Sequence, residues 1–216
     1  MSNLPISEAG HAILSPKAMA ILREVGDSAY RKLVVDAGNS TPQCATALQA
    51  MTPDQLFIEP VKHPDDAAAA LAGMWLWIDD LDACHKIAQD LVTSTGSFWH
   101  AIMHRREGDF SNAKYWYHRC STHHVMKMLG AVASSIVEPI KSDRLAVKVI
   151  SGGWNADGLV DFVEALHDKP SDPRYEVAVK LQQLEWAGLF DYCIHQALET
   201  DWDGLDAWDK RVNPPS

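Results

Sequence analysis

The sequence predicts an all-α protein, a single-domain bundle of about seven to nine helices. Three observations favour this fold class: helix-start signals recur along the chain, apolar residues repeat at helical spacing, and strand signals are scarce. A chain of 216 residues suits one well-buried core. We expect residues 1–200 to form the domain and residues 201–216 to form a peripheral C-terminal tail.

The first elements each begin at a serine or threonine followed by proline, a pair typical of a helix N-terminus. Ser15 predicts a helix that continues to a stop at Gly38, Thr41 predicts a second helix, and Thr52 predicts a short helical turn. Next comes one long helix, from about Asp65 to Val92.

The sequence TSTG ends that helix, and we expect the next one to begin near Ser97. Gly108 interrupts it, and Ser111 is the predicted cap of the following helix. An apolar helix then runs to Pro139, and DRLAVKVI fits either a strand or a short helix. Two further helices are predicted, one capped near Asn155 and a long one over Tyr175–Glu199.

Composition and charge exclude some classes of partner. Hydrophobic residues make up 47% and charged residues 22%, which is ordinary for a globular domain, and the net charge is −10. That charge disfavours nucleic acid or an anionic membrane as partner. We expect no membrane span and no signal peptide, and therefore a cytoplasmic protein. The four cysteines form no CxxC pair, so we expect reduced thiols.

The first candidate site residues lie on the predicted long helix. Asp82 and His85 share a face with Leu71, Trp75 and Ile78. An ionisable pair on an apolar face is costly unless it has partners. The pair is therefore either a hydrogen-bonded Asp–His pair in the core or a ligand and acid–base pair.

The second candidate group follows on the next helix. His100, His104 and Glu107 lie together, and histidines four residues apart on a helix suit chelation of one metal ion. The alternative is a solvated face. If the chain turns back at residues 93–96, His85 lies level with His104 and Asp82 with Glu107. Helical bundles use such carboxylate–imidazole sets for metals or proton transfer.

Several cationic, aromatic and polar residues near this hairpin are candidates for substrate binding. Glu185, on the last long helix, either pairs with Arg106 or completes the site. Arginine would hold an anionic group of a small substrate. The candidates are Arg105, Arg106, Asn112, Lys114, Trp116, Tyr117 and Glu185.

The stretch HAIMHRREGDFSNAKYW, from His100 to Trp116, together with WLWIDDLDACH and QLEWAGLFDYC, resembles a family of uncharacterised helical proteins of bacterial genomes. This resemblance implies a shared helical fold and site but no particular reaction. The chain is more loosely similar to DinB-like helical metalloproteins, which bind a metal through one histidine plus an HxxxH pair. That likeness implies His85, His100 and His104 as metal ligands.

From these features we expect a small-molecule enzyme, with Asp82, His85, His104 and Glu107 in catalysis and a divalent ion, zinc or iron, as a possible cofactor. Metal-assisted hydrolysis and acid–base lyase or isomerase chemistry both fit. The alternative is a non-catalytic helical module that binds a protein or a small anionic ligand, because Gly108, Phe110, Ala113 and Tyr117 match the spacing of one tetratricopeptide hairpin.

Overall fold

The computed structural model describes residues 4–36, 38, 40–202 and 204. Within these residues the chain forms eleven α-helices and no β-strand, which confirms the all-α prediction. The helices are α1 Glu8–Ile13, α2 Pro16–Val25, α3 Pro42–Gln49, α4 Pro64–Trp77, α5 Leu81–Asp90, α6 Ser94–Glu107, α7 Phe110–Arg119, α8 His124–Val137, α9 Arg144–Val149, α10 Ala156–Leu166 and α11 Tyr175–Leu198. None of them is long and apolar enough to cross a membrane.

The centre of the bundle is α4, which packs against both α11 and α6. All three carry buried residues around most of their circumference. Gly73 of α4 allows a close approach of aromatic rings: a Cβ atom there would lie 2.8 Å from Trp99 Cζ2 and 2.9 Å from Phe190 Cδ2. The Gly73 carbonyl also accepts the indole N–H of Trp186 at 2.9 Å. Aromatic rings therefore fill the space that a side chain would take.

Helix α2 is shorter than predicted. It ends at Val25 rather than at Gly38, because Gly26 adopts a positive φ of 49° and ends the helical backbone. The chain then follows an irregular path in which the Val35 N–H donates to the Arg106 carbonyl at 2.8 Å. The segment after Val25, predicted as the second half of a helix, is thus a loop that contacts the end of α6 at Arg106.

The predicted long helix is also wrong as one element, since it divides into α4 and α5. Asp79 has a left-handed backbone, with φ 63°. The Asp79 N–H donates to Leu76 O and the Asp80 N–H donates to Trp75 O, at 3.2 and 2.9 Å, which is the Schellman pattern of a helix end. The Asp80 carboxylate then accepts the Ala83 N–H and caps α5.

The turn between α6 and α7 lies where the sequence predicts it, but its cap is a different residue. Gly108 ends α6 with φ 88°. The Asp109 carboxylate accepts the Asn112 N–H at 3.2 Å and caps α7, while Ser111, the predicted cap, donates its hydroxyl to Asp109. At the other end, α6 begins three residues before the expected Ser97, because the Thr93 hydroxyl accepts the Gly96 N–H.

The remaining predictions concern the C-terminal half and the thiols. DRLAVKVI forms the short helix α9, capped by Asp143. The four cysteines are free and buried. Of the predicted tail, Trp202 donates its indole N–H to Asp191 at 3.1 Å, and residues 203 and 205–216 lie outside the described residues.

Candidate metal centre

Three histidines from two adjacent antiparallel helices come together. His85 projects from α5, and His100 and His104 project from successive turns of α6. One ring nitrogen of each lies within 4.8 Å of the others. His100 and His104 are buried and His85 is half-buried. His85 therefore lies beside His104, as predicted, and also beside His100. The two histidines of α6 point into the protein and not into solvent.

The rings are arranged as a stack with one ring at its edge. His100 and His104 are nearly parallel, with centroids 4.7 Å apart and an interplanar angle of 16°. His85 meets both edge-on, at 61° to His100 and 69° to His104.

His100 is the most unusual of the three. Its side chain is buried, and neither ring nitrogen has a hydrogen-bond partner within the described part of the chain. Burial lowers the pKa of His100 to about 4, with smaller effects in the same direction from His104 and His85. A neutral imidazole is the form that binds a metal ion, and a buried polar group without a partner is costly. A bound cation would give one of the two nitrogens a partner.

His104 has the hydrogen bond that metal-binding histidines commonly make with a second residue. Its Nδ1 lies 2.5 Å from Glu107 Oε1, so Nδ1–H is the donor and Nε2 carries the lone pair. The Asn112 amide nitrogen lies 3.0 Å from Nε2 and 3.4 Å from Nδ1. Because these two distances are similar, the amide lies beside the ring rather than along the Nε2 lone pair, which stays free for a ligand.

A carboxylate that the sequence analysis missed lies beside this hydrogen bond. Asp109 forms, with His104 and Glu107, a second group whose possible ligand atoms lie within 4.8 Å of one another. Glu107 and Asp109 are both exposed. Asp109 already serves as the α7 cap, and its position directly after Gly108 was the available signal.

Asp82 does not join the histidines. It lies exposed in the first turn of α5, and neither group of possible ligands includes it. The expectation that Asp82 lies on an apolar face with His85 is wrong, because the chain begins a new helix after Asp79, and this helix buries Leu81, Cys84 and Ala88 and leaves Asp82 exposed. Glu107, expected to lie level with Asp82, pairs with His104 instead.

Arg105 and Glu185 form a fully buried ion pair at 2.5 Å. Arg105 also donates to Tyr117 and to Gln182, and the Tyr117 hydroxyl donates to Glu185 at 2.9 Å. Glu185 thus has a structural partner, although this is Arg105 rather than the Arg106 that the sequence suggested. Tyr117 is part of the same buried network.

Arg106 has a separate set of partners. Its guanidinium pairs with Asp79, donates to the Lys32 carbonyl and lies 4.2 Å from the centroid of the Tyr30 ring. Like Arg105, it is fully buried. Both arginines are therefore engaged inside the protein, and a role for either one in holding an anionic substrate stays a prediction.

Of the other predicted binding residues, some contact the histidine cluster and some do not. Lys114 forms an ion pair with Asp161 at 2.5 Å, away from the imidazoles. Trp116 reaches the site, because its indole stacks on His100 with centroids 4.0 Å apart. Asn112 and Trp116 are thus the two predicted substrate-binding residues that contact the histidine cluster.

Comparisons with models of protein families, with curated proteins and with solved structures found no match. The family resemblances of the sequence therefore stay predictions, and the function has to be inferred from the site.

Proposed function

We propose that His85, His100 and His104 bind a divalent transition metal ion, zinc in the first place and iron in the second, and that the protein is a metal-dependent enzyme acting on a small molecule. One observation carries the proposal: three imidazole nitrogens lie within 4.8 Å of one another, and among the described residues the nitrogens of the buried His100 have no hydrogen-bond partner. Imidazole ligands suit zinc, iron, copper and nickel.

The donor set favours catalysis over a closed structural site. Three protein ligands leave coordination positions open, as in catalytic zinc sites, and an ion held in this way supplies Lewis acidity and lowers the pKa of bound water. Glu107 orients His104, and its side chain is 38% exposed, so it can also exchange protons with solvent. Metal-assisted hydrolysis is the first reaction class, and acid–base lyase or isomerase chemistry is the second.

Metal stoichiometry tests the proposal. Purified protein equilibrated with Zn²⁺ and then with a weak chelator is expected to retain one ion per chain. His104→Ala and His100→Ala are each expected to lose it, because two imidazoles bind far more weakly than three. His167→Ala is the matched control, because His167 is exposed at the end of α10, and this variant is expected to retain the ion.

Two results separate metal binding from catalysis. Wild-type protein that holds no Zn²⁺ or Fe²⁺ under these conditions contradicts the metal site. Zinc-loaded protein is expected to hydrolyse an activated ester such as p-nitrophenyl acetate faster than the zinc-free His104→Ala variant. Equal rates would leave the metal site in place and contradict the hydrolytic reaction.

A non-catalytic binding module is the second candidate function. Ala113 and Tyr117 are buried in the α6–α7 hairpin as the tetratricopeptide spacing predicts, while Tyr115 of α7 is 55% exposed beside Arg119. Such a surface suits a partner protein or a small anionic ligand. Partner binding that is lost in Tyr115→Ala but kept in His104→Ala would favour this function.

A further inference from the structure

The indole of Trp116 lies directly against one of the three imidazoles. The centroids of Trp116 and His100 are 4.0 Å apart and the rings are inclined by only 20°. Trp116 belongs to α7, whereas His100 belongs to α6, so this contact joins the two helices at the histidine cluster. The Arg119 guanidinium lies 5.2 Å from the Trp116 ring.

Histidines that bind metals are normally oriented by a hydrogen bond from the nitrogen that does not face the ion. His104 has such a bond, to Glu107. His100 has none among the residues that the structure describes, because both of its nitrogens are buried without a hydrogen-bond partner there. Its ring is instead nearly parallel to two neighbouring rings, those of His104 and Trp116. Stacking is therefore the interaction available to fix the ring plane.

We propose that Trp116 is a positioning residue for His100. Its flat face holds the imidazole in the plane in which one nitrogen converges with His85 and His104, and Trp116 itself does not touch the ion. This inference rests on the proposed metal site. Trp116 orients His100 through an aromatic face, as Glu107 orients His104 through a hydrogen bond.

Two substitutions of Trp116 distinguish the effect of a planar ring from the effect of apolar volume alone. Trp116→Phe keeps a planar ring, and Trp116→Leu keeps an apolar side chain without one. Trp116 is only half-buried, so both variants are expected to fold, and Trp116→Met is a second non-planar variant should the leucine variant not fold. Trp154→Leu is the matched control, because Trp154 is half-buried but lies outside the histidine cluster.

The measurements are Zn²⁺ affinity by competition with a chromophoric chelator and the visible spectrum of the Co²⁺ complex. Trp116→Leu is expected to bind about 10- to 100-fold more weakly, the usual effect of losing a residue that orients a ligand, and to change the Co²⁺ bands. Trp116→Phe is expected to stay near wild type in both measurements. Trp154→Leu is expected to leave both unchanged.

The outcomes distinguish this inference from the metal site itself. A folded Trp116→Leu or Trp116→Met variant with wild-type affinity and an unchanged Co²⁺ spectrum would overturn the positioning role and leave the metal site standing. Equal losses in the phenylalanine and leucine variants would also overturn it, since a planar ring would then not matter. Wild-type protein that binds neither ion would overturn the proposed function, and the positioning role with it.

Discussion

Each of the two arginines that follow His104 is neutralised inside the protein by a carboxylate. Arg105 pairs with Glu185, with both side chains fully buried, and Arg106 pairs with Asp79. A buried ion pair contributes little net stability compared with apolar packing, but the loss of one partner leaves an uncompensated charge. At the scale of single residues, the most sensitive positions beside the site are therefore these carboxylates.

Substitution of Glu185 tests the buried pair. Glu185→Ala is expected to lower the free energy of unfolding by about 3–5 kcal/mol, because Arg105 stays buried without its counter-ion. Glu138→Ala, which breaks an exposed pair with Lys141, is expected to leave the free energy of unfolding close to that of wild type. Urea unfolding of both variants measures the difference. Similar losses in the two would contradict the structural role of Glu185.

At the scale of elements, the break between α4 and α5 determines where His85 lies. Asp79 supplies both the left-handed backbone that ends α4 and the carboxylate that pairs with Arg106 of α6. One residue thus joins the end of one helix to the last turn of another. Because α5 starts again two residues later, His85 rather than Asp82 faces the imidazoles of α6.

Substitution of Asp79 tests that connection. Asp79→Asn keeps a residue type that tolerates the left-handed region but removes the charge, so Arg106 loses its counter-ion. We expect a loss of about 1.5–3 kcal/mol, the usual range for a hydrogen bond to a charged group. Asp82→Asn, an exposed carboxylate three residues away, is the control and should be within about 0.5 kcal/mol of wild type. Equal stabilities of the two variants would refute the role of Asp79.

The elements that the sequence predicts well are those with local signals. The proline starts of α2 and α3, the stop at Gly108 and the Asn155 cap of α10 all lie where expected. The break at Asp79 was missed because a non-glycine residue in the left-handed region depends on Arg106, a partner distant in sequence. In the site, too, only the local part could be predicted. The spacing along α6 and the short turn between α5 and α6 bring the histidines together, whereas the pairing of Arg105 with Glu185 depends on how the distant helix α11 packs.

At the scale of the whole molecule, His123 links three helices. It precedes α8, its Nδ1 accepts the Val125 N–H, and its Nε2–H donates to Thr95 of α6, both at 3.2 Å. Its ring also meets Tyr192 of α11 edge-on at 5.0 Å. Burial lowers the pKa of His123 to about 4, with a smaller effect from the neighbouring His124. The fold therefore holds this imidazole neutral, and protonation would remove its acceptor for Val125.

This junction predicts how stability depends on pH. The unfolded chain binds a proton at His123 near pH 6.5, its ordinary pKa, whereas the folded protein does so only near pH 4. The contribution of neutral His123 is thus complete above about pH 6.5 and is lost as the pH falls toward 4. One such group changes the free energy of unfolding by up to about 1.4 kcal/mol per pH unit in this window.

The variant His123→Gln tests this pH dependence. Its free energy of unfolding, measured by urea unfolding at a series of pH values, is expected to decline less steeply than that of wild type between pH 6.5 and 4. His167→Gln, at an exposed histidine, should retain the wild-type slope. Equal slopes in wild type and His123→Gln would mean that His123 is not held neutral by the fold.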